Sequence, residues 1–544
     1  MHFSVFSDTD WLYPDSAHSK LSRINLHLPR GGHDGAQLLG GVLSDTLSAA
    51  LRWDGGQGPA VQLYRLLPVG VNENTSPTLM TTTDYESCQS FVTRQAPFEV
   101  FDALKPLAQE ELPDGKPLAL YLCVQAATDE APKEYAGTLT ITVGADKTEL
   151  PIRCTVHAPL VPVPSQSRLG MLNFFDYDGP TRQHGLAKGG NGYWRAFRSY
   201  VRAQLDMRCT HILLPPGEAV YLQGTLAGFD FSFAEQAGRI ALAEGAVMLC
   251  GGHVAHWHEW DDNEYYPHWD QTVGISTPQG YLQMRLYFSQ WARVIQDNGW
   301  QGRMTQALAD EPQTHNDKTY RVLAAMCRKF LPGVPILDAV ETTNLGGGID
   351  IWIPKQDSYE KWLEDYQALQ AAGEEMWFYT CAFPAGPAMN RSMDLPLAVS
   401  RTVLWMGALY RLSGFLHWGF NYYIGDDIWH SACCPHKGAL LPAGDAHIVY
   451  PGDHDEPWRS MRFEAQRAGA EDYELLMQAV DAAPEEADKL IQTVCTTFRS
   501  YARSGAEVAA ARLGLMQLLE KVSQASPRQH QNQPFPASSN HTMQ

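Results

Sequence analysis

Two adjacent carboxylates, Asp310 and Glu311, are the residues whose type and position most clearly indicate chemistry in this chain. They follow an apolar run over residues 304–309, which predicts a short buried strand, and they precede Pro312. Burying two acids at a strand end costs free energy, so the fold must either use them or satisfy their hydrogen bonds. In a catalytic role, one acid of such a pair transfers a proton and the other stabilises a developing charge. The alternative is structural: Asp310 caps the next helix, Glu311 lies in its first turn and Pro312 stands at its start.

From Leu169 onward, the chain that must position this pair alternates apolar runs with amphipathic helices. The runs that predict strands are residues 169–175, 210–216, 247–253, 304–309, 334–340, 349–353, 376–381 and 414–420. Eight strands alternating with helices over roughly 250 residues match the number and size of a closed β/α barrel. We therefore predict a (β/α)8 TIM-type barrel over residues 168–455. Asp310 and Glu311 then follow its fourth strand, at the end where such barrels hold their active sites.

The chain on either side of the barrel has a different pattern. Residues 1–165 contain strand-like runs separated by turn residues, and residues 138–143 alternate between polar and apolar as a half-buried strand does. We predict a β-sandwich there, followed by a proline-rich linker. Residues 456–522 predict a helical segment, and residues 523–544, rich in Gln, Ser, Pro and Asn, predict a disordered tail. The predicted fold class is multidomain α/β.

The composition disfavours some partners and compartments. The chain has 41 Lys and Arg against 61 Asp and Glu, a formal net charge of −20. This charge disfavours nucleic acid and anionic membranes, whose phosphates attract positive charge. The N-terminus has no basic region before an apolar run, and no stretch reaches the ~20 apolar residues of a membrane helix. Together with ten scattered Cys, these features predict a cytoplasmic protein.

Side chains near other strand ends share the predicted barrel mouth with the acid pair and are candidates for substrate contact. Aromatic rings suit stacking on a sugar, and polar side chains suit hydrogen bonds to its hydroxyl groups. The candidates are Asn173, Asp176, His253, Trp257, Trp260, Glu341, Trp377, Tyr379, Trp418 and Asn421. The structural alternatives are an ordinary packed loop at 253–270, a place in the barrel core for Trp418, and loop-satisfying hydrogen bonds for Asn173 and Asp176.

Two short patterns are too sparse to predict a metal site. His256 and His258 are one residue apart, and Cys433, Cys434 and His436 lie close together. Zinc sites need further ligands at a regular spacing, which neither pattern has. We predict neither a metal nor a cofactor.

The predicted strand ends limit the mechanism. Retaining glycosidases on barrels commonly pair a Glu after strand four with a carboxylate after strand seven, but residues 376–384 contain no acid. The remaining partners for Glu311 are Asp310 and Glu341. Adjacent carboxylates without a distant nucleophile suit substrate-assisted hydrolysis, in which the 2-acetamido oxygen of the sugar attacks its own anomeric carbon.

Several segments resemble glycoside hydrolase family 123 and the related domain of unknown function 4091. They are residues 135–143, 309–312, 414–421, 440–452 and 459–473, of which the last two are the most specific. The resemblance implies a β-sandwich before a β/α barrel and a β-N-acetylgalactosaminidase activity. It also implies that Asp310 stabilises the acetamido group and that Glu311 is the general acid/base.

Three functions remain open on the sequence. The first is an exo-acting, retaining β-N-acetylhexosaminidase whose substrate is an oligosaccharide or glycoside. The second is a non-catalytic carbohydrate-binding barrel in which the acid pair only caps a helix. The third is a glycosidase for a sugar without the acetamido group, with Glu341 as base or nucleophile. A raised pKa of Glu311 in a closed pocket would separate the enzyme from the binding protein, because an acid catalyst must keep its proton near neutral pH.

Overall fold

The structure is a computed structural model that describes residues 2–19, 21–425 and 427–525. Most of the predicted disordered tail, residues 526–544, lies outside the described residues.

Two sheets form the part of the chain before the barrel. The strands are β1 (Ser4–Ser7), β2 (Ile24–Arg30), β3 (His33–Val42), β4 (Leu47–Trp53), β5 (Ala60–Val71), β6 (Asn74–Thr75), β7 (Thr81–Thr82), β8 (Phe98–Pro106), β9 (Pro117–Gln125), β10 (Glu134–Val143) and β11 (Asp146–Leu160), with one short helix, α1 (Tyr85–Cys88). One sheet contains β1, β3, β9, β5 and β8 in that order, and the other has the order β2, β11, β10, β4. Leu38 and Leu122 of the first sheet share one apolar core with Ile141 and Ile152 of the second.

The half-buried strand predicted over residues 138–143 lies in β10, which pairs with β11. The two strands run antiparallel, with Gly137 opposite Ile152 and Ile141 opposite Thr148. Side chains along β10 alternate between buried and more exposed positions, as the polar–apolar alternation of its sequence predicts.

The next part of the chain forms a parallel barrel. Its strands and associated hairpins are β12 (Gly170–Asn173), β13 (His211–Leu214), β14 (Glu218–Leu222), β15 (Thr225–Asp230), β16 (Met248–Gly251), β17 (Ala255–His256), β18 (Tyr266–Pro267), β19 (Met304–Gln306), β20 (Leu337–Val340), β21 (Ile351–Pro354), β22 (Glu375–Thr380) and β23 (Gly414–His417). Eight of them form one sheet in the order β19, β16, β13, β12, β23, β22, β21, β20. Gln306 forms a parallel bridge to Ile336 between the two end strands, which nearly closes the barrel. All eight predicted strands are confirmed.

Helices cover the outside of the barrel. They are α2 (Gly179–His184), α3 (Asn191–Asp206), α4 (Ser232–Glu244), α5 (Pro278–Asp297), α6 (Asp317–Phe330), α7 (Gln356–Lys361), α8 (Leu363–Ala371) and α9 (Leu397–Tyr410). Helix α3 buries one apolar stripe, which includes Tyr193, Phe197 and Val201. The start of α5 is capped by Thr277, whose hydroxyl accepts a hydrogen bond from the Gly280 amide at 3.0 Å.

The last part of the chain returns to the N-terminal sheet. Its elements are β24 (Cys434–His436), β25 (Ala439–Leu441), β26 (Tyr450–Pro451), β27 (Pro457–Ser460), α10 (Met461–Ala482), α11 (Pro484–Val494), β28 (Cys495–Thr497), β29 (Ser500–Tyr501) and α12 (Gly505–Ala525). Strand β27 pairs with β8, and α10 is buried along nearly all of its first four turns. The helical segment is therefore built into the contact between sheet and barrel. Within the described ranges, no helix is long and apolar enough to cross a membrane.

Candidate active site

The backbone that leads to the acid pair is hydrogen-bonded to both neighbouring strands of the barrel. Beyond β19, the amide of Ala307 donates to the Gly251 carbonyl at 2.9 Å, and the Val254 amide donates to the Leu308 carbonyl at 3.0 Å. The Leu308 amide in turn donates to Asp338 Oδ2 at 2.9 Å. The chain thus stays extended and buried as far as Ala309 and delivers the acid pair to the carboxyl end of the barrel.

The helix-cap alternative for the acid pair is wrong. Helix α6 begins at Asp317, and Asn316 occupies its N-cap position, so Asp310 and Glu311 lie in the loop before it. Glu311 has a φ of 45°, in the left-handed region that a side chain with Cβ rarely adopts. Such backbone strain is found preferentially at functional sites.

Glu311 has the electrostatics of a proton donor. Its side chain is half-buried and accepts a short hydrogen bond from the Tyr379 hydroxyl. Burial, followed by the charges of Asp310 and Glu341, raises the pKa of Glu311 to about 8, against the opposing effects of Lys355 and Tyr379. Glu311 therefore keeps its proton at neutral pH, as a general acid must.

Glu341 does not stand free beside this acid. It follows β20, and its amide donates to the Pro312 carbonyl at 3.0 Å. Its carboxylate forms a short ion pair with Lys355, which is 4% exposed and follows β21 directly. Burial lowers the pKa of Lys355, but the charges of Glu341 and Glu311 outweigh it and raise that pKa. The Lys355 ammonium therefore remains charged and stays paired with the Glu341 carboxylate.

The predicted aromatic loop lies at the same end of the barrel as the acid pair. Ala255 forms a parallel bridge with Ala309, one residue before Asp310. The Trp257 and Trp260 rings contact each other edge to face at 5.3 Å, and Trp260 is 47% exposed. Among the described residues, no hydrogen bond or ring contact joins either indole to the acids. The backbone bridge brings the start of this loop beside the acid pair, and the contact of Trp257 and Trp260 with a sugar stays a prediction.

Trp418 lies on another side of the mouth. Its ring is half-buried and lies 5.1 Å from the ring of Tyr422, and its Nε1 donates to Asp445 Oδ2 at 3.0 Å. Burial, and then the charges of Asp176 and Asp310, raise the pKa of Tyr422. Trp418 and Tyr422 form a ring pair, and the charge of Asp310 acts on the Tyr422 hydroxyl.

Asn173 and Asn421, which the sequence predicts to bind a sugar, form hydrogen bonds within the protein instead. Asn173 is fully buried, and its Oδ1 accepts from Arg391 Nη1 at 3.2 Å. Asn421 is also fully buried, and its amide bonds the Asp176 backbone at both the nitrogen, 2.8 Å, and the carbonyl, 3.0 Å. The Asp176 carboxylate is paired with Arg182. The structural alternative therefore holds for Asn173, and Asn421 is likewise used within the protein, because the polar atoms of both amides are already bonded and lie away from solvent.

Trp377 is the predicted residue that the structure places furthest from the mouth. It lies opposite Gly414, the first residue of β23, and its ring packs against His211 at 5.1 Å. A Cβ added to Gly170 or to Gly414 would come within 2.1 Å of this indole, so the two glycines leave it the space it fills. Trp377 is 1% exposed and belongs to the layer where the barrel strands begin. Tyr379, two residues later, reaches Glu311.

Several residues of the mouth were missed by the sequence reasoning. Lys355 follows the sixth strand directly, so the strand-end rule could have found it. Asp338 lies inside an apolar strand, where a lone acid is unusual, but nothing in the sequence shows its partners. Tyr422 carried no separate signal. The described residues include no group of three or more His, Cys, Asp or Glu that could hold a metal ion.

Comparison with known proteins connects this geometry to an enzyme class. Residues 257–479 match the family model described as glycoside hydrolase 123, catalytic domain. A family 123 glycoside hydrolase from Clostridium perfringens, whose structure was described for glycolipid glycan hydrolysis, superposes with a TM-score of 0.73 at 12% identity, covering 96% of this chain and 100% of that one. No curated protein sequence matches.

Two further solved structures are much less similar. A family 10 xylanase with a bacterial Ig-like domain, from termite gut, has a TM-score of 0.34 at 12% identity, covering 83% of this chain and 99% of its own. A β-glucuronidase from Parabacteroides merdae has a TM-score of 0.30 at 10% identity, covering 88% of this chain and 52% of its own. TM-scores this low carry no argument about the fold.

The matched segment contains Asp310, Glu311, Glu341, Tyr379 and Trp418, so the residues brought together at the barrel mouth lie inside it. The fold is shared with a solved family 123 enzyme over 96% of this chain. The protein is a glycosidase, with a glycan as its substrate, and its residues 257–479 match the catalytic domain of glycoside hydrolase family 123.

Proposed function

We propose that the chain is a retaining, exo-acting β-N-acetylhexosaminidase, similar to N-acetylgalactosaminidases, that hydrolyses its substrate with the help of the 2-acetamido group. The observation that carries the proposal is the adjacent acid pair. Glu311 holds a proton at neutral pH, while the next nearest carboxylate of the mouth, Glu341, is occupied by Lys355. One proton donor without a free distant nucleophile is the requirement of the substrate-assisted route.

In the first step, the acetamido oxygen bonds to the anomeric carbon while the bond to the leaving oxygen breaks. The Glu311 carboxyl gives its proton to that leaving oxygen, and the Asp310 carboxylate stabilises the positive charge that forms on the cyclised amide. In the second step, Glu311 takes a proton from water, and the oxygen of that water opens the ring at the anomeric carbon. Two displacements at one carbon retain its configuration.

The sugar would be held by the side chains that surround the pair. Trp418, with Tyr422 against it, is the proposed stacking surface near Asp310, and Trp257 and Trp260 extend the wall on the other side. Tyr379 orients Glu311 through its hydroxyl. Asp176 and His253 are the remaining polar side chains proposed to bind the sugar.

For the whole chain, we infer a sandwich over residues 1–165, a catalytic barrel over 168–455 and a helical segment over 456–522. The shared apolar core of the two N-terminal sheets supports the sandwich. The pairing of β27 with β8 and the burial of α10 support a fixed contact between these parts.

A set of nitrophenyl glycosides tests the function, with each sugar offered with and without the 2-acetamido group. Hydrolysis of the acetamido β-glycosides only, with the β-anomer as first product in NMR spectra, is the expected result. Inversion of the anomer would exclude the proposal. Equal rates on sugars that lack the acetamido group would instead favour Glu341 as the nucleophile.

A further inference from the structure

Asp338, a buried carboxylate in β20, collects hydrogen bonds from three different parts of the barrel. It is 2% exposed. Its Oδ2 accepts from the Leu308 amide at 2.9 Å, more weakly from the Ala309 amide at 3.4 Å, and from the Tyr320 hydroxyl of α6 at 2.6 Å. Its Oδ1 contacts His253 Nε2 at 3.1 Å. A ligand has no access to a carboxylate so enclosed, so any effect of Asp338 on the reaction must pass through its partners.

The first of these partners is the backbone of the acid pair. Ala309 directly precedes Asp310, and the Asp338 carboxylate bonds the two amides just before it. Because backbone amides are obligatory donors, their bonds to a buried carboxylate limit the movement of the chain there. The position from which Asp310 and Glu311 project is therefore set partly by Asp338.

The second partner, His253, retains a free polar atom. Its Nε2 is the donor to Asp338, and its Nδ1 makes no hydrogen bond to another described residue. The side chain is 19% exposed, and the Phe174 ring meets it edge to face at 5.7 Å. A carboxylate that holds one imidazole nitrogen fixes the tautomer and the ring orientation, so the other nitrogen can serve a ligand.

The acids around His253 favour its cationic form. They are Asp338 of β20 and Asp310 beyond β19, joined by Glu311 once that residue loses its proton. Burial lowers the pKa of the neighbouring His268, next to β18, to about 4, so that ring is neutral at pH 7. Burial lowers the pKa of His253, but the hydrogen bond and charge of Asp338, followed by the charge of Asp310, outweigh burial and raise it above its usual value. The His253 ring is therefore cationic below this raised pKa. A hydrogen bond that it donates to a ligand weakens as the pH rises through that pKa.

We propose that Asp338 is a positioning residue that uses one carboxylate to set both the backbone ahead of Asp310 and the orientation of His253, so that His253 donates a charged hydrogen bond to a hydroxyl oxygen of the sugar bound at the acid pair. The inference rests on the proposed function, which supplies the sugar. It assigns His253 to substrate binding, because a charged donor binds a hydroxyl oxygen more strongly than a neutral one.

The principal test is Asp338→Asn. The amide oxygen of the substituted side chain can still accept from the backbone, but its NH₂ group cannot accept from His253. We expect the pKa of His253, followed by NMR of its imidazole, to fall. We expect KM for an acetamido glycoside at pH 7 to rise about tenfold, the factor that a charged hydrogen bond contributes, with a smaller change in kcat.

Tyr320→Phe is the matched control: it removes another donor to the same carboxylate, and KM and the pKa of His253 should stay unchanged.

His253→Gln separates positioning from general damage. Glutamine keeps a neutral donor, so KM should rise and should lose the pH dependence that the wild type shows around the pKa of His253. Adding Asp338→Asn to His253→Gln should raise KM no further, because Asp338 acts on KM through His253.

Independent, multiplying effects on KM would overturn the inference, as would an unchanged KM in His253→Gln. This second result is decisive even if Asp338→Asn fails to fold. If the wild type hydrolyses no acetamido glycoside, the proposed function fails, while the NMR titration of His253 in Asp338→Asn still tests the Asp338–His253 contact. An unchanged titration there would overturn the positioning role alone.

Discussion

Two glutamates in two parts of the molecule, Glu471 in α10 and Glu311 at the barrel mouth, have opposite acidities. Glu471 is 3% exposed and accepts hydrogen bonds from the amide and Nδ1 of His33, at 3.0 and 2.7 Å, and from Arg512 at 3.2 Å. Burial raises its pKa, but His33 and Arg512 outweigh burial and lower it to about 2. At the mouth, burial and two neighbouring acids raise the pKa of Glu311 to about 8.

The difference between the two sites shows that burial alone does not make an acid reactive. In α10 the buried acids Glu464 and Glu471 pair with Arg467 and Arg512, which help to hold their pKa values low, so both remain ionised at neutral pH. At the mouth the nearest cation, Lys355, is shared between Glu311 and Glu341. Incomplete compensation leaves a protonated carboxyl, which is what an acid catalyst needs.

The largest expected effect is the loss of a compensated acid at the junction. Asp472 of α10 accepts from Arg401 Nε at 2.6 Å and from Trp405 Nε1 at 3.0 Å. Asp472→Asn leaves the Arg401 guanidinium buried without its counter-charge, which should lower the free energy of unfolding by about 3–5 kcal/mol. Denaturant unfolding followed by tryptophan fluorescence measures this change, and activity per folded molecule should not change.

A surface pair provides the control for that loss. Glu149 pairs with Lys147, and both side chains are more than half exposed. Glu149→Gln should cost about 1 kcal/mol or less, because solvent already screens this pair. Equal losses in the two variants would show that the α10 network is not what joins sheet and barrel.

At the mouth, the largest expected loss is in rate. In the proposed mechanism, Asp310→Asn removes the charge that stabilises the cyclised amide, so kcat should fall by about 10²–10³ for every acetamido substrate, whatever its leaving group. Steady-state kinetics on a series of aryl glycosides measure this. A thiazoline analogue of the cyclised intermediate should inhibit the wild type and bind the variant less tightly. Substantial activity of Asp310→Asn would refute the assigned role.

A smaller and more selective loss is expected for Glu311→Gln. This variant lacks the proton donor, so substrates with poor leaving groups should lose the most rate and activated aryl glycosides should be partly spared. The slope of log kcat against leaving-group pKa should therefore become steeper than in the wild type. An equal loss across the series would contradict general-acid catalysis by Glu311.

The smallest expected effect is a shift of the pH profile. Glu311 is protonated below its pKa of about 8, so kcat/KM should fall as the pH rises past that value. Glu341→Gln removes a negative charge that raises this pKa, and the fall should move to lower pH. Tyr379→Phe removes a hydrogen bond that favours the ionised carboxylate, and the fall should move to higher pH. Profiles that move in the same direction would show that these neighbours do not set the acidity of Glu311.

The same pKa links Glu311 to stability. Its value in the folded chain lies above the ordinary value of 4.5, so the folded state holds the proton more tightly than the unfolded chain. The contribution is complete below about pH 4.5 and is lost as the pH rises through about 8. Glu471 has the opposite sign: its lowered pKa of about 2 stabilises the fold above pH 4.5, and this contribution is lost as the pH falls through about 2.

The barrel could be predicted because each of its strands has a local signature. A short apolar run such as residues 247–253, bounded by polar and glycine residues and followed by an amphipathic helix, needs no knowledge of its partners to be recognised. Once eight such runs were found, the closed barrel placed all strand ends at one mouth. Asp310, Glu311 and the 253–270 loop therefore followed from the pattern alone.

The depth of a side chain in the barrel could not be predicted in the same way. Trp377 and Tyr379 are two residues apart in β22 and have the same orientation in the alternation of a strand. Only the register of β22 against β23 places the first ring in the lowest layer and the second beside Glu311. Polar residues raise a similar problem, because Asn173 and Asn421 have the right type for a sugar contact but already bond to Arg391 and to the Asp176 backbone.

The sequence by itself determined the alternation of strands and helices and the end of the barrel at which the adjacent acids Asp310 and Glu311 lie. These properties depend on residue type and on spacing along the chain, which are local. The tertiary structure alone decided that Lys355 occupies Glu341, that Asp338 joins the acid-pair backbone to His253, and that Glu311 rather than Glu471 keeps its proton. Electrostatic energy depends on the distance between charges and on their exclusion from water, and neither quantity exists until distant parts of the chain have packed together.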